Sequence, residues 1–333
     1  MAHPRARRQA GSSGSAGTGV SARPRLTIGL PIAGQIVGDD HRGLVEIAQL
    51  ADGLGVDALT TSDHVVMGER LDQYRWGPFM FDKGVPWIEP LTLLSAVAGA
   101  TTNVRLVTGV LIAPLRPPAL LAKIVATLDQ LSRGRVDLGV GTGWQPEEYD
   151  ALGLDFAQRA QMLDDTIAAC RALWGPSPAT FTSATISFDK IWCDPKPFRP
   201  GGPPVFFSGP LTPRNVRRIV TLGDGWVPIM QAPLEEARSG IAKLRDALSA
   251  ADRDPDALLV RMPVPTVRDG NGALDLAAMV DSASTMHAMG ITDATVSFPL
   301  LGADRATGER RLAELVHLWK GPSGPSERAR KGK

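Results

Sequence analysis

Two adjacent polar residues, Asp63 and His64, follow a strand-like run at 56–61, from which Ser62 separates them. An imidazole titrates near neutral pH, so His64 could donate a proton to a substrate during a reduction. Adjacent side chains of an extended chain point to opposite sides, so the two residues need not share a task. An isolated Asp-His pair is more often structural. In the parallel barrel that the alternation described below favours, however, functional residues gather at the carboxyl ends of the strands. We therefore predict that both residues are catalytic.

A glycine-rich turn is the second candidate. The strand-like run 136–140 leads into Gly141, Thr142, Gly143 and Trp144. A proline and two acidic residues follow at 146–148, which is typical of a helix start. A strand that ends in glycines before a helix exposes N–H groups to one point, which suits a phosphate. The spacing does not complete G-x-G-x-x-G, so a plain turn remains the alternative.

Two further segments contain residues suited to ligand contact. Gly109 and Val110 lie inside a strand-like run, where glycine often marks a bulge or the close approach of a ligand. Ser208 and Gly209 follow another strand-like run and precede a helical one. A serine hydroxyl can donate a hydrogen bond, whereas the next residue, Pro210, has no N–H to offer.

These segments belong to a regular alternation of strands and helices. Strands are predicted at 26–31, 56–61, 104–112, 136–140, 204–207, 225–230, 258–262 and 293–298. Helices are predicted at 43–54, 90–100, 117–131, 156–174, 214–222, 234–251, 274–289 and 305–319. Eight such pairs favour a closed parallel (β/α)8 barrel, the TIM barrel, over an open sheet. We predict one domain over 25–320, between disordered tails at 1–24 and 321–333.

Two connections are longer than simple links, one after the second strand and one before the fifth. The first, 65–89, holds Tyr74, Trp76, Phe79, Phe81 and Trp87. Loops after barrel strands form the active face, so we predict a substrate wall in which Trp76 and Trp87 contact the substrate. A small satellite core under a long loop is the alternative. The second insertion, 175–202, is predicted to be mainly structural.

The segment 128–153, LDQLSRGRVDLGVGTGWQPEEYDALG, is followed by Arg159 and by a helix that ends RALW at 171–174. This sequence resembles the luciferase-like flavin and deazaflavin oxidoreductases. It is most similar to the branch that uses coenzyme F420, and the resemblance covers about residues 26–230. It implies a luciferase-like TIM barrel, hydride transfer between F420 and a small organic substrate, and FMN as the alternative cofactor.

The resemblance also implies roles for single residues. Asp63 would lie near the cofactor ring with His64 facing the substrate, and a cis peptide at Gly109–Val110 would lie behind the ring. The family has a hydroxyl near Ile112 and two glycines at 208–209, so this chain departs from it at both places. The implied cofactor-binding residues are Asp63, Gly109, Val110, Gly141, Thr142, Gly143, Trp144, Ser208 and Gly209.

The choice between F420 and FMN depends on the glutamate-bearing tail of F420. Its carboxylates would need basic partners, for which Arg214, Arg217 and Arg218 are candidates, although a solvated helix face explains them equally well. A reduced-FMN monooxygenase remains the alternative enzyme. A non-catalytic flavin- or deazaflavin-binding barrel is the alternative from another class, because fold alone does not fix function.

Composition narrows the remaining choices. A net charge of +1 gives no reason to expect a nucleic-acid or membrane partner, and no apolar run reaches the roughly 18 residues that cross a bilayer. Two cysteines are too few for a disulfide framework, which favours the cytoplasm. The five histidines show no metal-ligand spacing, and no P-loop or G-x-S-x-G motif occurs. We expect no metal, a small-molecule substrate and a homodimer.

Overall fold

The strands of this chain close into a parallel barrel. The computed structural model describes residues 23–32, 34–229 and 232–321 of the 333. In chain order the strands are β1 Arg25–Gly29, β2 Ala58–Thr61, β3 Arg105–Ile112, β4 Val136–Gly141, β5 Ala179–Thr182, β6 Ser187–Ile191, β7 Val205–Ser208, β8 Gly225–Val227, β9 Leu259–Pro263 and β10 Asp293–Ser297. Eight of them pair in the closed order β1-β2-β3-β4-β7-β8-β9-β10, which confirms the predicted TIM barrel.

Helices follow the barrel strands and cover the outside of the barrel. They are α1 Arg42–Leu54, α2 Pro90–Ala100, α3 Pro118–Leu131, α4 Pro146–Ala151, α5 Arg159–Trp174, α6 Pro213–Thr221, α7 Leu234–Ala250, α8 Leu276–Ala288, α9 Phe298–Leu301 and α10 Arg305–Lys320. In α3, for example, Leu121, Val125 and Leu128 are buried, as their helical spacing predicts. The sequence reading did not identify the antiparallel β5–β6 hairpin or the four-residue α9, since both are too short to show a clear period.

Polar side chains fill the barrel at the N-terminal ends of its strands. Arg105 Nε lies 3.0 Å from Asp137 Oδ2, and Arg261 Nη2 lies 3.0 Å from the same oxygen. Arg261 also reaches Asp293 Oδ1 at 3.1 Å, and Arg25 binds Asp293 as well. Burial alone would raise the pKa of Asp137, but the hydrogen bond from Arg105 and the charges of the arginines outweigh burial and lower it. This charge network closes the bottom of the barrel.

The ends of the described chain meet beside α10. Arg23 donates to the carbonyl oxygens of Leu318 and Trp319, at 2.9 and 2.6 Å, and Trp319 Nε1 donates to the oxygen of Pro24 at 3.0 Å. The predicted tails, 1–24 and 321–333, otherwise lie outside the described residues, and the domain boundaries remain a prediction. Of the helices that the structure describes, none is both long enough and apolar enough to cross a membrane.

Candidate active site at the C-terminal mouth of the barrel

Small residues surround the C-terminal mouth of the barrel, in contrast to the charges at the bottom. A Cβ atom placed on Gly29 would lie 3.8 Å from Thr60 Cγ2, and one placed on Gly141 would lie 3.9 Å from Ser208 Cβ, so these positions share the inner face. Gly109 also faces Thr60, and it is solvent-exposed although it lies inside a strand whose neighbouring residues are mostly buried. Glycine, threonine and serine therefore form the floor of the mouth.

The peptide bond Gly109–Val110 lies on this floor and is cis. The register between β3 and β4 shifts between Thr108 and Leu111, so the bond is part of a bulge. Both features confirm the prediction for this segment.

His64 lies beside the mouth and is held through one of its two ring nitrogens. Its Nδ1 is 3.2 Å from Oε2 of Glu148, a carboxylate that is fully buried. The other oxygen of Glu148 accepts the N–H of Val65 at 3.0 Å. His64 Nε2 has no hydrogen-bond partner among the described residues and is not one of their enclosed, unpartnered atoms. This nitrogen is free to contact a substrate.

Asp63, by contrast, has both of its carboxylate oxygens occupied by other residues. Arg116 binds both of its oxygens, at 2.7 and 2.9 Å, and the N–H of Ile112 donates to Oδ2 at 2.8 Å. Arg116 also binds Glu89, the N-cap of α2, at 2.8 Å. Burial alone would lower the pKa of Arg116, but its bonds to Asp63 and Glu89 raise it. This geometry favours a bracing role, and the contact of Asp63 with the cofactor remains a prediction.

The turn Gly141–Trp144 presents unused N–H groups. The amides of Thr142, Gly143 and Trp144 donate to no acceptor within the described part of the chain. The hydroxyl of Tyr149 holds the turn by donating to the Thr142 oxygen at 2.6 Å, and burial raises the pKa of Tyr149, which keeps it protonated. Gly143 has a φ of 65°, a left-handed conformation that glycine adopts without strain. These three amides are therefore without an acceptor and are candidates for binding an anion.

The segment at Ser208 and Gly209 differs from this turn. The Gly209 N–H already donates to the oxygen of Val227 at 3.1 Å, so it is not available to a phosphate. Ser208 is half-buried, and its hydroxyl makes no hydrogen bond to another described residue. Of this predicted pair, only the serine hydroxyl offers a donor at the mouth.

The first insertion brings aromatic rings to His64. The ring of Trp87 lies 4.6 Å from that of His64, and the rings of Phe79 and Trp144 lie within 6.0 Å of it. Trp76 lies further out, where it contacts the ring of Tyr74 at 5.4 Å. The insertion thus forms an aromatic cluster of its own and includes His64 in it. The predicted substrate contacts of Trp76 and Trp87 remain predictions.

The second insertion lies on the outer helices. Asp165 of α5 accepts the N–H and the hydroxyl of Thr185 at 3.1 and 2.7 Å, and Asp129 of α3 accepts the N–H of Arg199 at 3.1 Å. These contacts join the insertion to the scaffold, as a structural role requires.

The arginines of α6 are mostly occupied. Arg214 Nε and Arg218 Nε both bind Asp164 of α5, and Arg218 also donates to the Ala160 oxygen at 2.6 Å. Arg217 is exposed and has no ion pair or hydrogen bond from its side chain in the described residues. Only Arg217 therefore remains a ready partner for a carboxylate.

Sequence reasoning missed Glu148 and Arg116. Glu148 was noted only as one of two acids in the first turn of a helix, and nothing local shows which of Glu147 and Glu148 is buried. Arg116 lies 53 residues from its partner Asp63, so no spacing rule connects them. Among the described residues, no three His, Cys, Asp or Glu side chains are grouped so that they could hold a metal ion.

Comparison with known proteins identifies the family of this barrel. The sequence model of the luciferase-like monooxygenase family matches residues 16–279. An uncharacterised protein of Mycobacterium tuberculosis (strain ATCC 25618 / H37Rv) is 31% identical over 238 residues, which is 71% of this chain and 79% of that protein. The chain therefore belongs to the luciferase-like monooxygenase family, and it is an oxidoreductase rather than a non-catalytic binding barrel.

Two solved structures share the fold at low identity. A monooxygenase, RslO1 from Streptomyces bottropensis, has a TM-score of 0.70 at 20% identity and covers 89% of this chain and 97% of its own. An F420-dependent secondary alcohol dehydrogenase, solved with an F420-acetone adduct, also has a TM-score of 0.70, at 18% identity, over 90% of this chain and all of its own. Because the two scores are equal, the fold does not decide between the two chemistries.

Proposed function

We propose that this protein is an F420-dependent oxidoreductase in which His64 exchanges a proton with a small organic substrate. The observation that carries the proposal is the placement of His64. Its Nδ1 is held by the buried Glu148, and its Nε2 is free. When F420 is bound, it supplies or accepts the hydride, and the protein positions the reactants and handles the proton.

The residues of the mouth fit a flat tricyclic cofactor. Gly109 is solvent-exposed and carries no side chain, which suits the close approach of the face of a ring. The three unused amides of the Gly141–Trp144 turn would hold the cofactor phosphate, and the hydroxyl of Ser208 would add a fourth donor. In this arrangement Gly209 shapes its turn and does not bind the phosphate.

The surroundings of His64 favour a neutral, apolar substrate. The rings of Phe79, Trp87 and Trp144 surround His64. The nearby charged side chains are paired, Asp63 with Arg116 and Glu148 with His64 itself. A charged substrate would therefore meet no free counter-ion there. Trp87 would form the inner wall of the substrate site and Trp76 its rim.

F420 rather than FMN is the finer part of the proposal. It is supported by the similarity of segment 128–153 to the F420 branch and by the unpaired, exposed Arg217.

We also infer a homodimer in the cytoplasm. The family supports a small-molecule substrate, and the oligomeric state can be measured by light scattering.

The test is direct binding of F420 and FMN to the purified protein, followed by turnover with ketones and secondary alcohols. We expect F420 to bind more tightly than FMN. Arg217→Ala should weaken F420 binding and leave FMN binding unchanged, because FMN ends at the phosphate. Tight FMN binding without measurable F420 affinity would end the F420 proposal and favour a reduced-FMN monooxygenase.

A further inference from the structure

The carboxylate of Glu148 has features that a structural role does not require. It is completely buried. One of its oxygens binds the imidazole of His64, and the other accepts the N–H of Val65. No lysine or arginine pairs with it in the described residues. A buried carboxylate without a cationic partner is costly, so its position beside a site histidine calls for a function.

The hydrogen bonds indicate where the proton of His64 lies. An ionised carboxylate can only accept hydrogen bonds, and Oε1 already accepts a backbone N–H. Oε2 therefore faces Nδ1–H of His64, which leaves Nε2 as the nitrogen that gives or takes the proton.

We propose that Glu148 is a positioning residue that fixes the tautomer and the ring orientation of His64. The inference rests on the proposed function of His64. Val65 is the first residue of the first insertion. The same carboxylate therefore fixes both the histidine and the chain that leads into the aromatic cluster. A carboxylate that accepts from one nitrogen of an imidazole is a general means of orienting the other nitrogen.

The first experiment measures the tautomer without any variant of Glu148. The full-length protein carries five histidines, and with ¹⁵N-labelled histidine the His64 signals can be assigned by their loss in His64→Gln. In its neutral form, His64 should carry the proton on Nδ1. A neutral His64 protonated on Nε2 would overturn the proposal, whatever the activity of the enzyme.

The second experiment uses Glu148→Gln, which keeps the size of the side chain but offers one acceptor and one donor group. The glutamine oxygen would serve Val65, and its NH2 would donate to Nδ1, so the proton of His64 should move to Nε2. Turnover should fall by at least about 10-fold, with the cofactor dissociation constant within about two-fold, since the two oxygens of Glu148 are already bound to His64 and Val65. Asp150→Asn removes an exposed carboxylate from the same helix, and it should change neither property.

A double variant separates this role from a structural one. If Glu148 acts through His64, Glu148→Gln should cause no further loss of turnover in a His64→Ala protein. An additional loss of 10-fold there would show that Glu148 acts by another route and would overturn the proposal. Full turnover by His64→Ala alone would instead end the proposed function, while the tautomer measurement would still decide the role of Glu148.

Discussion

The two ends of the barrel are built on opposite principles. At the bottom, Arg105, Arg261 and Asp137 form a buried network of ion pairs, although Nε and Nη1 of Arg261 have no hydrogen-bond partner among the described residues. At the mouth, where glycine, serine and threonine lie, Nε2 of His64 and the amides of the Gly141–Trp144 turn have no hydrogen-bond partner among the described residues. The ion pairs of the bottom therefore contribute stability, and the accessible unpaired groups of the mouth are available to ligands. Substitutions at the two ends should separate these effects.

The largest effect is expected at the bottom. Asp137→Asn leaves Arg105 and Arg261 without their shared carboxylate in a buried place. The free energy of unfolding should fall by about 3–5 kcal/mol, measured by urea denaturation. Asp256→Asn is the control, because its ion pair with Arg245 is exposed and long, at 3.7 Å, and we expect a change within about 0.5 kcal/mol. A loss below about 1 kcal/mol in Asp137→Asn would contradict the role of the network.

The pH dependence of the free energy of unfolding gives a second measure of the same network. The folded-state pKa of Asp137 is lowered, so its stabilising contribution is present above the unfolded pKa and is lost as the pH falls through the folded value. The unfolded pKa is about 3.9, which places the loss below about pH 4. The Asp137→Asn protein should lack this part of the acid dependence. The difference in the free energy of unfolding between it and the unchanged protein should therefore become smaller as the pH falls below about 4.

The next effect concerns the mouth. His64→Ala should lower turnover by roughly 10²-fold, about 2.7 kcal/mol in the barrier, because it removes the proton donor. Cofactor affinity should remain almost unchanged. Steady-state kinetics and fluorescence binding measure both quantities. An equal loss of cofactor binding would move His64 from the substrate to the cofactor side.

A smaller effect is expected at the floor of the cleft. A Cβ atom on Gly109 would lie 2.1 Å from Thr60 Oγ1, so Gly109→Ala should cost about 1–3 kcal/mol of stability. Adding Thr60→Ala removes that oxygen and should restore most of the stability. If the cofactor ring lies on Gly109, Gly109→Ala should also weaken cofactor binding, and this weaker binding should persist in the double variant. Restored affinity would place the ring elsewhere.

The smallest effects separate the two tryptophans. Trp87 contacts the ring of His64 at 4.6 Å, whereas Trp76 contacts Tyr74 at the rim. Aromatic pairs contribute about 0.5–1.5 kcal/mol, so Trp87→Ala should change kcat/KM by up to about ten-fold and Trp76→Ala by less. A larger effect of Trp76 would reverse this order and place the substrate further from His64.

The sequence by itself determined the barrel, because each strand and helix carries its own period and eight repetitions of the pair permit few arrangements. It also determined which segments meet at the mouth, since parallel strands bring their carboxyl ends together. His64, the Gly141–Trp144 turn and the bulge at Gly109 were found in this way.

Only the tertiary structure decided what each polar group faces. Asp63 and His64 are neighbours in the chain, but Arg116 holds the first and Glu148 the second, from 53 and 84 residues away. Glu147 and Glu148 look alike in sequence, yet one forms an ion pair with Arg70 and the other is buried under His64. Local patterns specify the backbone of an element, whereas the partner of a side chain depends on packing between elements distant in sequence. The physical reason is that a buried charge is stable only where such a partner is brought to it.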